Sequence, residues 1–123
     1  MSAHFKKTLV LGGSSNPTRY SYLAINKLRE YNHPVLAIGK RPAQVADVVI
    51  VQEMKPVPEL DTVTVYLNKE NQKNYYDFII TQRPRRVIFN PGAENPEFEK
   101  ILTNQGIQVL EACTLVLLGT GQY

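Results

Sequence analysis

Short apolar runs alternating with helical stretches constrain this chain more than any other feature. Thr8-Leu9-Val10-Leu11, Val35-Leu36-Ala37-Ile38, Thr62 to Leu67, Arg86-Val87-Ile88-Phe89 and Ile107-Gln108-Val109-Leu110 each read as a buried strand. Between them lie helix signals. Asn16-Pro17 pairs a cap with a first-turn proline, and Tyr20, Leu23, Ala24, Leu28 and Tyr31 fall on one helical face. Asn68 can cap a helix that buries Tyr75, Phe78 and Ile79 and stops at Pro84. Asn95-Pro96 repeats the cap-plus-proline start, and Gly106 is the expected left-handed stop. Residues 42–60 read poorly: Val48 to Val51 looks extended, as an edge strand would, and Pro56 and Pro58 forbid regular structure after it. Near-continuous apolar strands joined by helices imply a parallel sheet covered on both faces. With right-handed crossovers the expectation is an α/β, doubly wound sheet of about five strands in the order 3-2-1-4-5.

Length and composition narrow the class. The 123 residues make one domain, 1–123, with 43% hydrophobic residues and so enough apolar surface for a core. One cysteine, Cys113, excludes an internal disulfide, and two histidines, His4 and His33, give no zinc-ligand grouping. No run approaches a membrane span, and Met1 to Lys7 lacks the pattern of a signal peptide, so a soluble cytoplasmic protein is expected. The net charge of +3 is too small to point to nucleic acid. It is unevenly spread: residues 1–60 carry +4 and residues 61–123 carry −1, so an anionic ligand should meet the first half. The apolar tail 114–118 must cover the sheet or a second copy of the chain.

In a doubly wound sheet the ligand sits at the carboxyl ends of the strands, where the order reverses. In the expected order that point lies between the strands starting at Thr8 and Arg86, and the loops there are Gly12-Gly13-Ser14-Ser15-Asn16 and Asn90-Pro91-Gly92-Ala93-Glu94. Free backbone N–H groups and hydroxyls leading into a helix suit a phosphate, although a plain strand-to-helix turn uses the same residues. The spaced glycines of a dinucleotide fingerprint and the lysine of a P-loop are both missing. At the end of the second strand an NAD-binding unit needs an acid; this chain has Gly39-Lys40-Arg41-Pro42. Two cations suit a ribose that carries a phosphate, which leaves NADP and coenzyme A (CoA).

These stretches together resemble the small stand-alone CoA-binding proteins, whose three-layer Rossmann-like domain is shared with the α-subunit of succinyl-CoA ligase. The resemblance runs from about Lys7 to Cys113. It is carried by Leu11 to Pro17, by Gly39 to Pro42, by Tyr66-Leu67, by Asn90 to Asn95 and by Glu111-Ala112-Cys113. The family's asparagine-proline after the second strand is absent here. The resemblance implies a pyrophosphate on Gly13, Ser14, Ser15 and Asn16, with Arg19 as a further phosphate contact. It implies a 3′-phosphate or adenosine at Lys40 and Arg41, and counts Gly12 and Gly39 among the cofactor-binding residues. The adenine or pantetheine would run past Tyr66, Leu67, Asn90, Pro91 and Gly92.

Catalysis needs a nucleophile and a base within reach of each other. His33 lies at the opposite edge from the ligand, Cys113 reads as a small buried hydrophobe, and Glu94 has no visible partner. The ligase subunit's phosphorylated histidine lies in a second domain that this chain lacks. The expectation is a module binding CoA or acyl-CoA without catalysis, as a homodimer or as a subunit of a larger enzyme, with no nucleic-acid or membrane partner and no metal. The alternative is an NADP-binding, reductase-like or acyl-CoA-processing enzyme.

Overall fold

Leu9 and Leu11 point to one side of the first strand and Val10 to the other, and all three are fully buried. Only a strand inside a sheet covered on both faces does this. The structure, a computed structural model describing residues 5–123, builds that sheet from seven strands. These are β1 (Thr8–Leu11), β2 (Val35–Ile38), β3 (Ala43–Val45), β4 (Val48–Val51), β5 (Thr62–Val65), β6 (Arg86–Phe89) and β7 (Gln108–Glu111). His4 lies outside the described residues.

The spatial order is β3-β4-β2-β1-β5-β6-β7. Every pairing is parallel except β3 with β4, a hairpin at one edge. The α/β class holds, with two differences from the sequence expectation. There are seven strands rather than five, and the third position is taken by Val48–Val51, not by the Thr62 run. Val48–Val51 pairs in parallel with β2 (Ala37 with Ile50), reached through the β3 hairpin rather than a helix. The Thr62 strand pairs instead with the free side of β1, Leu9 opposite Val63. The order reverses between β1 and β5, not between β1 and β6, and this moves the loop after β5 to the switch point.

Helices cover both faces. Helices α1 (Tyr20–Glu30) and α5 (Thr114–Gly119) lie on one, where Ile25, Leu28 and Leu118 pack with Val10, Ala37, Ile50 and Ile88. The apolar tail is therefore the helix that covers the sheet. On the other face, α3 (Tyr76–Gln82) and α4 (Pro96–Asn104) set Ile79, Phe98 and Leu102 against Leu9, Leu11, Val63 and Phe89. Full burial of one such side chain contributes about 1.5–3 kcal/mol. The one-turn helix α2 (Lys69–Gln72) and a 3-10 turn (Lys73–Tyr75) precede α3. Asn68 caps α2 by accepting from the Asn71 amide, and Asn95 caps α4 by accepting from the Phe98 amide, with Pro96 behind it. Gly106 follows α4 with φ +80°. Residues 52–61 cross without a helix, as Pro56 and Pro58 dictate, and leave Leu36 and Val49 exposed.

Helix α1 departs from its expected start and face. It begins at Tyr20, with Arg19 as an extended N-cap residue and no side-chain cap. The Asn16 side chain instead accepts from the amide and hydroxyl of Thr18, a local turn that delays the helix. The buried face is Ser21, Ala24, Ile25 and Leu28, while Tyr20, Leu23 and Tyr31 are exposed. Among the described residues no helix is long and apolar enough to cross a membrane.

Candidate functional site

The carboxyl ends of β1, β2, β5 and β6 surround a cleft of about 920 Å³. Its floor is the turn after β1. Gly12 has φ +95°, a backbone conformation natural to glycine, and a side chain there would press on Leu67. The Gly12 and Gly13 amides both donate to the Ile38 carbonyl, each at 2.8 Å. They are not free for a phosphate, contrary to the sequence expectation: the parallel pairing of β1 with β2 places a carbonyl exactly where those N–H groups point. The next two residues are different. Among the described residues the Ser14 and Ser15 amides meet no protein acceptor, while the Ser14 hydroxyl accepts from the Asn16 amide.

Helix α1 starts at the same place. It has no side-chain cap and no acidic residue in its first turn, so its leading N–H groups face the cleft with their partial positive charge uncompensated. Arg19 lines this wall, joined by Thr18, Tyr20 and Ser21. Opposite stand Lys40 and Arg41 after β2, where the Gln52 side-chain amide donates to the Lys40 carbonyl at 2.7 Å and fixes the loop. The lining thus carries three cations, Arg19, Lys40 and Arg41, and no carboxylate. Among the described residues none of the three forms an ion pair.

The far wall is Tyr66, Leu67, Asn68, Asn71, Pro91 and Gly92. Gln72, fully buried, staples it: its amide donates to the Leu67 and Ala93 carbonyls at 2.8 and 2.7 Å and its oxygen accepts from Asn95 at 2.9 Å. A second buried network lies beneath. Asn90 donates to the Thr64 hydroxyl and the Val65 carbonyl and accepts from the Thr114 amide, and the Thr64 and Thr114 hydroxyls bond each other. The Tyr66 hydroxyl is buried beside these threonines, and among the described residues no well-aligned hydrogen bond reaches it. Burial pushes its phenol well above the ordinary tyrosine value.

Of the expected site residues, Gly12, Gly13, Ser14, Ser15, Asn16, Arg19, Lys40, Arg41, Tyr66, Leu67, Pro91 and Gly92 meet in this cleft. Gly39 and Asn90 do not line it. Gly39 is pressed against the loop after β1, where a Cβ would stand 2.2 Å from the Gly13 carbonyl oxygen, and Asn90 lies under the wall as its brace. The sequence reading missed Thr18, Tyr20, Ser21, Asn68 and Asn71. Asn68 and Asn71 follow directly from the position of β5 beside β1. His33 is buried at the opposite edge, where its Nδ1 accepts from the Lys6 amide. Glu94 binds the Gly92 amide, and Cys113, half-buried, precedes α5. The lining contains no His, Cys, Asp or Glu.

A mostly parallel sheet with helices on both faces, its cleft at the reversal point, makes this a Rossmann-like α/β protein. The CoA binding domain model matches residues 6–119, and the chain belongs to that family. No curated protein matches it. An uncharacterized protein of known crystal structure is 40% identical, with a TM-score of 0.95 over 98% of this chain and 100% of that one. Two further structures share the fold. One is a Thermus thermophilus protein, cell-free ID.343, 23% identical with a TM-score of 0.80 over 96% of this chain and 91% of that one. The other is a hypothetical protein from Pyrococcus horikoshii OT3, 18% identical with a TM-score of 0.82 over 91% of this chain and 80% of that one.

Proposed function

We propose that the protein binds CoA or an acyl-CoA in this cleft and serves as a non-catalytic cytoplasmic module, acting as a homodimer or within a larger enzyme. One observation carries the reading: among the described residues, the cleft holds three unpaired cations and the bare amides of Ser14, Ser15 and the start of α1, with no carboxylate among them. CoA brings a pyrophosphate and a 3′-phosphate, and the residues present fit both. The pyrophosphate suits the Ser14–Ser15 turn and the α1 N-terminus, with Arg19 beside it. The 3′-phosphate suits Lys40 and Arg41, a point charge next to a fork of donors. The lining offers no paired nucleophile and base, which supports binding without turnover.

Calorimetric titration with CoA, dephospho-CoA, NADP and NAD tests this. A hydrogen bond to a charged group contributes about 1.5–3 kcal/mol, so CoA should bind about ten- to a hundredfold more tightly than dephospho-CoA. Exposure of Lys40 and Arg41 favours the lower figure, and added salt should narrow the gap. Removing both in Lys40→Ala/Arg41→Ala should abolish the preference. Tighter binding of NADP than of CoA would favour the reductase-like alternative, and equal affinity for CoA and dephospho-CoA would remove Lys40 and Arg41 from the site.

A further inference from the structure

Among the described residues, the most exposed of the large apolar side chains stands on the wall of the cleft. Tyr20, the first residue of α1, keeps 70% of its surface in water and lines the cleft together with Lys40 and Arg41. Among the described residues its ring packs on no other aromatic side chain and lies under no cation. The other aromatic residue of the lining, Tyr66, is committed elsewhere: its ring packs into the core beneath α1 and α5 and its hydroxyl is buried. A flat ligand group therefore finds one uncommitted aromatic face in this cleft.

The position of that face identifies the group. Helix α1 lies over β2 and β3, on the same side of β1 as the Lys40–Arg41 loop. Asn68, Asn71, Pro91 and Gly92 lie on the other side, past β5 and β6. In CoA the adenine and the 3′-phosphate are carried by one ribose. A phosphate held by Lys40 and Arg41 keeps the base on the same side of β1 as Tyr20, away from the loops after β5 and β6 that carry Asn71 and Gly92. We propose, building on the CoA reading above, that Tyr20 is the stacking platform for the adenine base and that the pantetheine arm leaves past Asn71 and Gly92. This moves the base away from Tyr66 and Leu67, where the family resemblance had set it as one possibility. Tyr20 then selects for ligands with a planar base, and Lys40 and Arg41 select for the phosphate beside it.

The test compares three ligands: CoA, adenosine 3′,5′-bisphosphate, which has the base and no pantetheine, and 4′-phosphopantetheine, which has no base. Stacking of a base on an aromatic side chain corresponds to a loss of about five- to a hundredfold on truncation to alanine. Tyr20→Ala should weaken CoA and adenosine 3′,5′-bisphosphate by that factor and leave 4′-phosphopantetheine unchanged. Tyr20→Phe should keep wild-type affinity for all three. Truncating so exposed a ring should leave the unfolding midpoint where it is. The chain has no tryptophan, so Tyr20→Trp introduces a single indole at the platform. Its fluorescence should fall with adenosine 3′,5′-bisphosphate and not with 4′-phosphopantetheine. Wild-type affinity of Tyr20→Ala for CoA would overturn the platform while leaving CoA binding standing. An equal loss for all three ligands, or an indole that responds to 4′-phosphopantetheine alone, would overturn it too. Failure of the wild-type protein to bind CoA would overturn both proposals together.

Discussion

Adding one methyl group at Gly39 should damage the site without touching the ligand. Gly39 follows β2 and faces the loop after β1. An alanine Cβ there would stand 2.2 Å from the Gly13 carbonyl oxygen and 3.0 Å from Ile50 Cγ2. Side-chain carbons essentially never come closer than 3.0 Å to such atoms, so the two backbones must separate by at least 0.8 Å. Next to that contact, the Ile38 carbonyl accepts from Gly12 and Gly13 at 2.8 Å each. A separation of 0.8 Å takes those bonds beyond useful length. Two hydrogen bonds at about 0.5–1.5 kcal/mol each give a loss of about 1–3 kcal/mol. The usual cost of overpacking a close-packed site, about 1–3 kcal/mol, agrees. The same shift moves the Ser14 and Ser15 amides, so CoA affinity should fall about tenfold or more, one factor of ten for each 1.4 kcal/mol of binding energy lost. Urea denaturation should show a lower midpoint at an unchanged slope, and calorimetry on the folded fraction should show the weaker binding. Gly13→Ala is the control: its Cβ would meet Ala37 Cβ at 3.2 Å and Ile50 at 3.6 Å, which small adjustments absorb. A Gly39→Ala protein with the wild-type midpoint and wild-type CoA affinity would refute this reasoning.

Two other outcomes follow from buried polar groups. Gln72→Leu strands the Leu67 and Ala93 carbonyls and leaves the Asn95 amide only its bond to the Tyr76 hydroxyl; at about 1–3 kcal/mol per orphaned carbonyl, eased by relaxation, the loss should be about 3 kcal/mol by urea denaturation, and a loss below 1 kcal/mol would contradict the staple. His33 titrates below its ordinary value of 6.5 because burial disfavours its charged form and the Lys6 and Arg86 charges repel it, with Asp61 opposing weakly. The unfolded chain therefore binds the proton more readily than the folded one. His33 contributes full stability above pH 6.5 and loses it as the pH falls, so the unfolding midpoint should drop between pH 7.5 and 5.5 more in wild type than in His33→Gln; equal drops would show that His33 does not set the dependence.

The strands were legible because buried parallel strands are written as unbroken apolar runs, as in Thr8-Leu9-Val10-Leu11. Their neighbours were not, since pairing is a long-range choice. The Thr62 strand carries no local sign that it joins β1 on the side away from β2. That one misplacement explains why Asn68 and Asn71 went unseen. The three residues of β3 were too few, with polar Gln44 between Ala43 and Val45, to show as a strand. At α1, Asn16-Pro17 is a genuine turn signal, but the Asn16 side chain is spent on Thr18 and the helix waits until Tyr20. The face that packs on the sheet is the one carrying Ser21, Ala24, Ile25 and Leu28, about a quarter turn from the expected one, and it leaves Tyr20 at the cleft instead of in the core. The glycines and serines of the first loop line the cleft, where their place after a buried strand put them. Which amides remain free was invisible, because Gly12 and Gly13 bond a carbonyl 25 or more residues away. The Lys40–Arg41 pair needed only its place after a strand to be noticed.

Amide chemical-shift mapping of the isotope-labelled protein during titration with CoA tests the central claim most directly, since it reports binding and location together. The expected result is saturable shifts concentrated at Ser14, Ser15, Arg19 to Ser21, Lys40, Arg41, Asn68, Asn71 and Gly92, with His33 and its neighbours at the opposite edge unmoved. Shifts centred away from the carboxyl edge of β1 and β2, or no shifts at millimolar CoA, would contradict it.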